Sequence, residues 1–295
     1  MQNEITIASL EADFVKLGLG RGDVVYIRAK LRAVGRTTRE SFIQALLNVV
    51  GEEGTVINIA FTVSAYPWRL SSFPPFTAET PSYAGALSNS MLRYPGAHRS
   101  LHPQCSFVAI GKHARYITSD HGPESGAYEP IRKLIELKGK MMVVGCVESS
   151  PGFTTAHLAE CDLGLNKRVI APWLASSRYV DSDGSVRTFR RKDPGFCSES
   201  YWKFYAHYVR NEVLLAGFIG RAYSICADAE QCYTIEKTIL GKNPGFNVCD
   251  SPDCGKCNLL RWDRVHNWPT FLFRRVAGLH RAAKRRKQRT EETHP

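Results

Sequence analysis

A nearly continuous apolar stretch at residues 140–147, Lys-Met-Met-Val-Val-Gly-Cys-Val, constrains the fold more than any other feature of the chain. A strand that is apolar at almost every position belongs in a sheet that is covered on both faces. Helix and strand patterns alternate before it. The predicted helices are 5–17, 41–50, 83–93 and 130–137, and the other predicted strands are 23–27, 55–61 and 106–111. This alternation predicts an α/β fold in which a layered mixed sheet is flanked by helices.

The pattern changes after about residue 165. Two short strands surround Asp183-Gly184 within residues 178–189, which is the strongest β-hairpin signal in the chain. An aromatic-rich helix, a strand and another helix are predicted after it, at 201–215, 222–227 and 229–240. We expect a single domain at 1–273, with subdomains at about 1–165 and 166–273 of which the second is a smaller hairpin and helix unit, and a basic tail at 274–295.

The net charge of the chain limits the classes of ligand that it is expected to bind. Its 295 residues include 39 Lys and Arg against 28 Asp and Glu, a net charge of +11, but 43% of them are hydrophobic, which excludes a fully disordered polycation. About half of the excess lies in the tail, and the mildly basic remainder favours anionic ligands such as phosphates or coenzyme A. No apolar run is long enough for a transmembrane helix and the first residues lack a signal pattern, so we expect a cytoplasmic protein.

The segment Gly152–Glu160 follows the apolar strand, where α/β proteins place functional groups. His157 and Glu160 are three residues apart, so a helix puts them on one face. A carboxylate beside an imidazole holds its tautomer and raises its basicity, as a general base requires. Thr154 or Thr155 is expected to cap this helix. The alternative is an interior histidine with a surface glutamate.

Two further segments offer cations and hydrogen-bond donors. Residues 28–35 follow the strand 23–27 and place Lys30 and Arg32 where they could hold a pyrophosphate. Residues 96–103 place Arg99, Ser100 and His102 in a turn fixed by Pro103, which suits a phosphate or a thioester carbonyl. The alternatives are a solvated charge run and a surface loop with a structural arginine.

Taken together, these segments resemble the aminoglycoside 3-N-acetyltransferase family, also called the antibiotic N-acetyltransferase family. The order and spacing of the matching motifs agree over residues 10–165, with a looser likeness at 217–235. The motifs are Leu17-Gly-Leu-Gly-Arg-Gly-Asp23, Leu31-Arg-Ala-Val-Gly35, Val50-Gly-Glu-Glu-Gly-Thr55, Ala60-Phe-Thr62, Thr80-Pro-Ser82, Pro95-Gly-Ala-His-Arg-Ser-Leu-His-Pro103, Ser106-Phe-Val-Ala-Ile-Gly-Lys112, Lys140-Met-Met-Val-Val-Gly145 and Thr155-Ala-His-Leu-Ala-Glu160.

The resemblance implies an acyl-CoA-dependent N-acyltransferase that works through a ternary complex. It implies that His157 is the general base and that Glu160 orients or polarises it. The acyl donor would be acetyl-CoA or another acyl-CoA. The residues expected to bind it are Lys30, Leu31, Arg32, Arg99, Ser100, His102 and Ser106, and those expected to bind the acceptor are Thr62, Glu79 and Thr155.

The acceptor is expected to be an amino sugar, most simply one linked to a nucleotide. A cationic aminoglycoside needs carboxylates, whereas the loop 64–82 offers only Glu79 and the body of the chain is basic. Amino sugars of this kind would serve polysaccharide biosynthesis. The alternative within the same family is an aminoglycoside 3-N-acetyltransferase that confers antibiotic resistance.

Three of the nine cysteines are close in sequence. Cys249, Cys254 and Cys257 have the spacing of three ligands of a structural zinc site, for which Cys232, Cys226 or His266 could supply the fourth ligand. The alternative is three reduced thiols without a metal. A catalytic role for them is not expected, because no base pattern neighbours them.

Two roles are consistent with the sequence of the basic tail. Apolar residues recur in it at helical spacing, so it could lie weakly on an anionic membrane surface, or it could be a solvated terminus. A zinc-knuckle nucleic-acid-binding protein is the alternative from another class. No nucleic-acid partner is expected, however, because the chain lacks a paired-finger or RNA-recognition motif.

Overall fold

The computed structural model describes residues 4–195 and 197–278. Its centre is a seven-stranded mixed sheet in the order β3-β4-β2-β1-β5-β9-β8. The strands are β1 (Val24–Ala29), β2 (Thr55–Phe61), β3 (His98–Arg99), β4 (Cys105–Gly111), β5 (Lys140–Val144), β8 (Leu215–Ile219) and β9 (Ala222–Asp228). A separate hairpin consists of β6 (Ser176–Val180) and β7 (Val186–Arg190). The layered mixed sheet and the hairpin predicted from the sequence are therefore confirmed.

The centre of the sheet is parallel and its margins are antiparallel. Strand β1 pairs in parallel with both β2 and β5, whereas β4, β9 and β8 pair antiparallel with their neighbours. Because the carboxyl ends of β1, β2 and β5 lie at one edge, the segments that follow Ala29, Phe61 and Val144 converge there.

Helices cover both faces of the sheet. Alternate residues of β5 point to opposite cores, Met141 and Val143 to one and Met142 and Val144 to the other, which explains the apolar run. One face packs against α1 (Ile7–Lys16), α2 (Leu31–Val34), α3 (Arg39–Val50) and α4 (Ala86–Leu92). The other packs against α5 (Ala114–Thr118), α6 (Glu129–Glu136), α7 (Thr155–Asp162), α8 (Tyr205–Arg210) and α9 (Ala229–Lys242). A further short helix, α10 (Gly255–Asn258), follows these.

The second half of the chain differs from the expected pattern in two ways. A single helix is expected at 201–215, but the structure has a 3-10 turn, Tyr201–Phe204, that leads into α8. Leu215, the last residue of the expected helix, is instead the first residue of β8. Strands β8 and β9 extend the central sheet through the pairing of β9 with β5. The expected division near residue 165 does not divide the sheet, and the domain bounds stay a prediction.

The expected long loop 64–82 is ordered by contacts with the hairpin. It contains a 3-10 turn, Pro67–Ser72, and pairs through Ala65 with Ser176 and through Phe76 with Tyr179. Within the described residues, no helix is long and apolar enough to cross a membrane. Of the expected basic tail, residues 274–278 continue a helix and the remainder lies outside the described residues.

Candidate active site

The segment between β5 and α7 is held in place by hydrogen bonds from Arg28 of β1. The guanidinium of Arg28 donates to the hydroxyl and carbonyl of Ser150, at 2.7 and 3.2 Å, and to the carbonyl of Gly152. Gly152 has a positive φ of 72°, and a Cβ there would collide with Tyr201. Glycine is required at this position for both reasons, and the loop delivers α7 in one orientation.

His157 and Glu160 lie on one face of α7, as their spacing predicts. Nδ1 of His157 is 3.0 Å from Oε2 of Glu160. The hydroxyl of Tyr201 lies 2.7 Å from the same Nδ1 and is also hydrogen-bonded to Glu160. Since a carboxylate only accepts, this arrangement places a proton on Nδ1, and in the neutral imidazole the lone pair is then on Nε2. No described residue forms a hydrogen bond with Nε2.

Aromatic rings and backbone enclose the imidazole. The ring of Tyr128 stacks on it with centroids 4.9 Å apart and an angle of 15° between the planes, and Tyr201 packs at 5.0 Å. A Cβ on Gly195 would lie 3.2 Å from Nδ1 of His157. Burial raises the pKa of both tyrosines well above its usual value, so their hydroxyls stay protonated.

Glu160 is buried and is held at both oxygens. Oε2 faces His157, and Oε1 accepts a hydrogen bond from the side-chain amide of Asn247. Asn247 is itself buried and lies 87 positions away in the chain. The sequence offered no local signal for Asn247, Tyr128 or Tyr201, because each reaches the site through tertiary packing.

Thr154 and Thr155 do not cap α7 as expected. Thr154 occupies the N-cap position but makes no capping hydrogen bond, and its hydroxyl donates to Tyr26. Thr155 is fully buried and donates to the carboxyl of Glu236 at 2.9 Å. Its placement therefore does not support the expected contact with the acceptor. Burial raises the pKa of Glu236 well above its usual value.

A basic cavity of about 560 Å³ lies at the carboxyl ends of β1 and β2. Lys30, Leu31 and Arg32 line it, as does Arg39 from the start of α3. No described carboxylate forms an ion pair with these three cations, so their charges are open to an anion. The segment that bears Ser149 and Ser150 is another wall of this cavity, and it leads directly into α7.

Four other residues expected to bind the cosubstrate point into the protein. Arg99 donates to Ser106 at 3.1 Å and to the carbonyls of Ala78 and Thr80, which ties down the loop before α4. Burial lowers the pKa of Arg99 to about 10. The hydroxyl of Ser106 donates to the carbonyl of Ala60 at 2.8 Å. Neither residue lines the basic cavity, so their expected role in binding coenzyme A is not supported.

Ser100 and His102 are completely buried. The hydroxyl of Ser100 accepts from the amide of Phe107 at 2.7 Å and bonds with His121. Nδ1 of His102 accepts from the amides of Gln104 and Cys105, and its ring stacks on His121. Burial lowers the pKa of His102 to about 2 and that of His121 to about 4, so both are neutral. This turn is a structural element of the core, and its burial does not support the expectation that it binds coenzyme A.

The two remaining acceptor candidates lie in separate hollows. Thr62 donates to the carbonyl of Pro103 and lines a mostly apolar cavity of about 240 Å³ between the loop 64–82 and the hairpin. Glu79 is exposed, and its pKa is lowered by a hydrogen bond with Thr77. It lines a hollow with His98 and Arg99. The described structure does not place either residue among the groups that surround His157.

A cluster of four thiols lies beside the site. The sulfurs of Cys249, Cys254 and Cys257 are joined by that of Cys197, and all four lie within 4.8 Å of one another. Cys226 and Cys232 lie elsewhere, in the cores on the two faces of the sheet. The fourth thiol is therefore Cys197 and none of the candidates named from the sequence.

Known proteins with similar sequences belong to one family of acetyltransferases. The family model described as aminoglycoside 3-N-acetyltransferase matches residues 27–240. Aminoglycoside N(3)-acetyltransferase III from Salmonella sp is 30% identical over 261 residues, which cover 78% of this chain and 89% of that protein. Aminoglycoside N(3)-acetyltransferase VII from Streptomyces paromomycinus is 34% identical over 179 residues, or 53% and 60% of the two chains.

Solved structures agree with these relatives. AAC-IIIb, in a binary complex with CoASH, superposes with a TM-score of 0.68 at 27% identity over 81% of this chain and 97% of its own. AAC-VIa bound to sisomicin shares the fold, with a TM-score of 0.66 at 23% identity over 81% and 98% of the two chains. This chain belongs to the aminoglycoside 3-N-acetyltransferase family of acyl-CoA-dependent N-acyltransferases.

Proposed function

We propose that this chain transfers the acetyl group of acetyl-CoA to an amine of an aminoglycoside, with Nε2 of His157 as the general base. The observation that carries the proposal is the contact of Nδ1 of His157 with Glu160 and Tyr201, which leaves Nε2 as the ring nitrogen without a described hydrogen-bond partner. The curated relatives that match this chain at about 30% identity are aminoglycoside N(3)-acetyltransferases. They support an aminoglycoside acceptor over the nucleotide-linked amino sugar expected from the sequence, and they give no support to a role in polysaccharide biosynthesis.

The proposed reaction is a direct transfer. Nε2 of His157 takes a proton from the acceptor ammonium, and the free amine attacks the thioester carbonyl. The C–S bond of the tetrahedral intermediate then breaks, the attacking nitrogen loses its second proton to the thiolate of coenzyme A, and an amide is left on the acceptor. Glu160 stabilises the imidazolium that forms in the first step, because its carboxylate lies 3.0 Å from Nδ1.

The basic cavity is the proposed binding site of acetyl-CoA. Lys30, Arg32 and Arg39 present cations without described carboxylate partners, which suits the phosphates of the cosubstrate. Arg28, which also lines the cavity, is engaged by the carbonyls of the loop that enters α7. A cosubstrate bound there would extend along this loop towards His157.

Carboxylates near Tyr128 suit a cationic acceptor. A Cβ on Gly126 would lie 3.1 Å from Oε1 of Glu129 and 3.5 Å from Oδ2 of Asp193, so these two carboxyl groups approach one another beside the tyrosine that stacks on His157. The pKa of Asp193 is raised by burial, and Glu129 adds to the increase. Glu129 also pairs with Arg132 at 3.1 Å and Asp193 accepts from the amide of Ala127, so an ammonium group of the acceptor would share these carboxylates with their present partners. Glu129 and Asp193 lie outside the loop 64–82, in which Glu79 is the only acidic residue.

A thiol-release assay with acetyl-CoA tests the proposal. The acceptors are a panel of aminoglycosides, free amino sugars and nucleotide-linked amino sugars. We expect turnover with at least one aminoglycoside and a loss of about 10²–10⁴-fold in His157→Ala, with binding of acetyl-CoA retained. Turnover confined to nucleotide-linked amino sugars would overturn the acceptor. A wild-type rate in His157→Ala would overturn the role of His157.

A further inference from the structure

The thiols of Cys197, Cys249, Cys254 and Cys257 form a compact group that the proposed acyl transfer does not use. All four are free, and three of them are buried. The described sulfurs lie within 4.8 Å of one another. A tetrahedral zinc ion with bonds of about 2.3 Å holds its sulfurs about 3.8 Å apart, so a small contraction completes such a site. We infer that these four cysteines bind one structural zinc ion, which clamps the segment after Gly195 to the segment after Asn247.

The surroundings of the thiol cluster are those of a metal site. The backbone amide of Glu199 is hydrogen-bonded to the sulfur of Cys197, and that of Ser251 to the sulfur of Cys249. Amides directed at sulfur stabilise thiolates that bind a metal. The carbonyl of Ser251 accepts from the amide of Cys254, which closes a turn between the ligands Cys249 and Cys254. Four thiolate ligands favour zinc over the hard cations that prefer oxygen.

The site joins two parts of the chain that are far apart in sequence. Cys197 lies before Tyr201, which bonds with His157, and Cys249 lies two residues after Asn247, which donates to Glu160. Apart from the thiols, the two segments are joined by the hydroxyl of Ser200, which donates to the carbonyl of Asn247, and by the ammonium of Lys203, which donates to the carbonyl of Val248 at 2.9 Å and to Asp250 at 3.0 Å. The zinc ion would therefore fix the positions of both residues that orient the histidine and its carboxylate.

The zinc ion is thus a positioning element for the catalytic pair, and this second step rests on the proposed function. Loss of the metal frees the segments that carry Tyr201 and Asn247, whereas the basic cavity is lined by other parts of the chain. We expect zinc-free protein to lose turnover while its KM for acetyl-CoA changes little.

Metal content tests the site independently of any activity. Full-length protein produced with added zinc is analysed by inductively coupled plasma mass spectrometry. We expect about one zinc per chain, and a large loss of it in Cys197→Ser and Cys257→Ser. Cys226→Ala, a change of a buried cysteine outside the cluster, is the matched control and should keep its zinc. A full complement of zinc in Cys197→Ser, iron in place of zinc, or no bound metal in the wild type would each overturn the site.

Two further variants distinguish loss of the metal ligand from misfolding of the protein. Cys254, the least buried of the four, is replaced in Cys254→Ser and Cys254→His. Because imidazole is also a zinc ligand, Cys254→His should recover zinc and turnover that Cys254→Ser loses. Chelation of wild-type protein should lower kcat at an unchanged KM for acetyl-CoA, and added zinc should restore it. Unchanged kcat after verified removal of the zinc would overturn the positioning role and leave the metal site intact.

Discussion

The hydroxyl of Tyr201 lies 2.7 Å from Nδ1 of His157 and is also hydrogen-bonded to Glu160. The phenol thus touches both members of the proposed catalytic pair. Its oxygen faces the Nδ1 proton and its own proton is directed at the carboxylate. This contact favours the tautomer in which Nε2 is free to accept a proton.

Tyr201→Phe should lower kcat about tenfold, because it removes one hydrogen bond from the charged state of the pair and leaves the ring in place. The KM for acetyl-CoA should not change. Steady-state kinetics as a function of pH checks this, since the profile of kcat should also shift. Trp202→Phe, at the exposed neighbouring aromatic residue, is the matched control. Equal kcat in Tyr201→Phe and wild type would show that the hydroxyl does not support the histidine.

Gly195→Ala should reduce activity sharply. The added methyl group would collide with the hydroxyl of Tyr128 and lie 3.2 Å from Nδ1 of His157, so one of the rings must move. Overpacking of this kind costs about 1–3 kcal/mol. Gly122→Ala is the control, because a Cβ there meets nothing within 4 Å and its φ is not positive. Thermal unfolding and kcat are measured for both, and equal activities would mean that the enclosure around the imidazole is loose.

Lys30→Ala and Arg32→Ala should each raise the KM for acetyl-CoA several-fold, about as expected for the loss of one charged contact with a phosphate. The kcat should be retained, since neither residue contacts His157. Arg36→Ala, an exposed cation of the same segment that does not line the basic cavity, should leave KM unchanged. The same KM in all three variants would place the phosphates elsewhere.

The catalytic pair could be predicted from the sequence because its geometry is local. His157 and Glu160 follow a recognisable buried strand and share a helical face by spacing alone. Tyr128, Tyr201 and Asn247 could not be found in this way, since loops and another helix bring them in from elsewhere in the chain.

The site assignments that the structure does not support have a similar physical origin. Arg99, Ser100 and His102 have the composition of a ligand-binding turn, but each is occupied by backbone groups of the core. Sequence shows which donors a turn offers and not which partners fold against them. The spacing of three cysteines likewise predicts a metal site, whereas Cys197 becomes its fourth member only through the fold.

Glu236→Gln should stabilise the protein at alkaline pH. The carboxyl of Glu236 is fully buried, accepts from Thr155 and Tyr208, and has a pKa raised well above its usual value by burial. The folded protein therefore keeps a proton that the unfolded chain releases above its ordinary pKa of 4.5. The free energy of unfolding does not depend on this carboxyl below pH 4.5. Above that pH it falls by about 1.4 kcal/mol for each pH unit, until the carboxyl of the folded protein also ionises.

A glutamine at position 236 keeps the shape and the accepting oxygen without an ionisable proton. Thermal unfolding of Glu236→Gln and wild type from pH 4 to pH 9 should give similar midpoints at the acid end and a higher midpoint for the variant at the alkaline end. Glu236→Ala should be less stable at every pH, because it leaves the hydroxyls of Thr155 and Tyr208 without their acceptor. If the midpoints of Glu236→Gln and wild type stayed parallel across the range, the carboxyl would not be protonated in the folded protein at neutral pH.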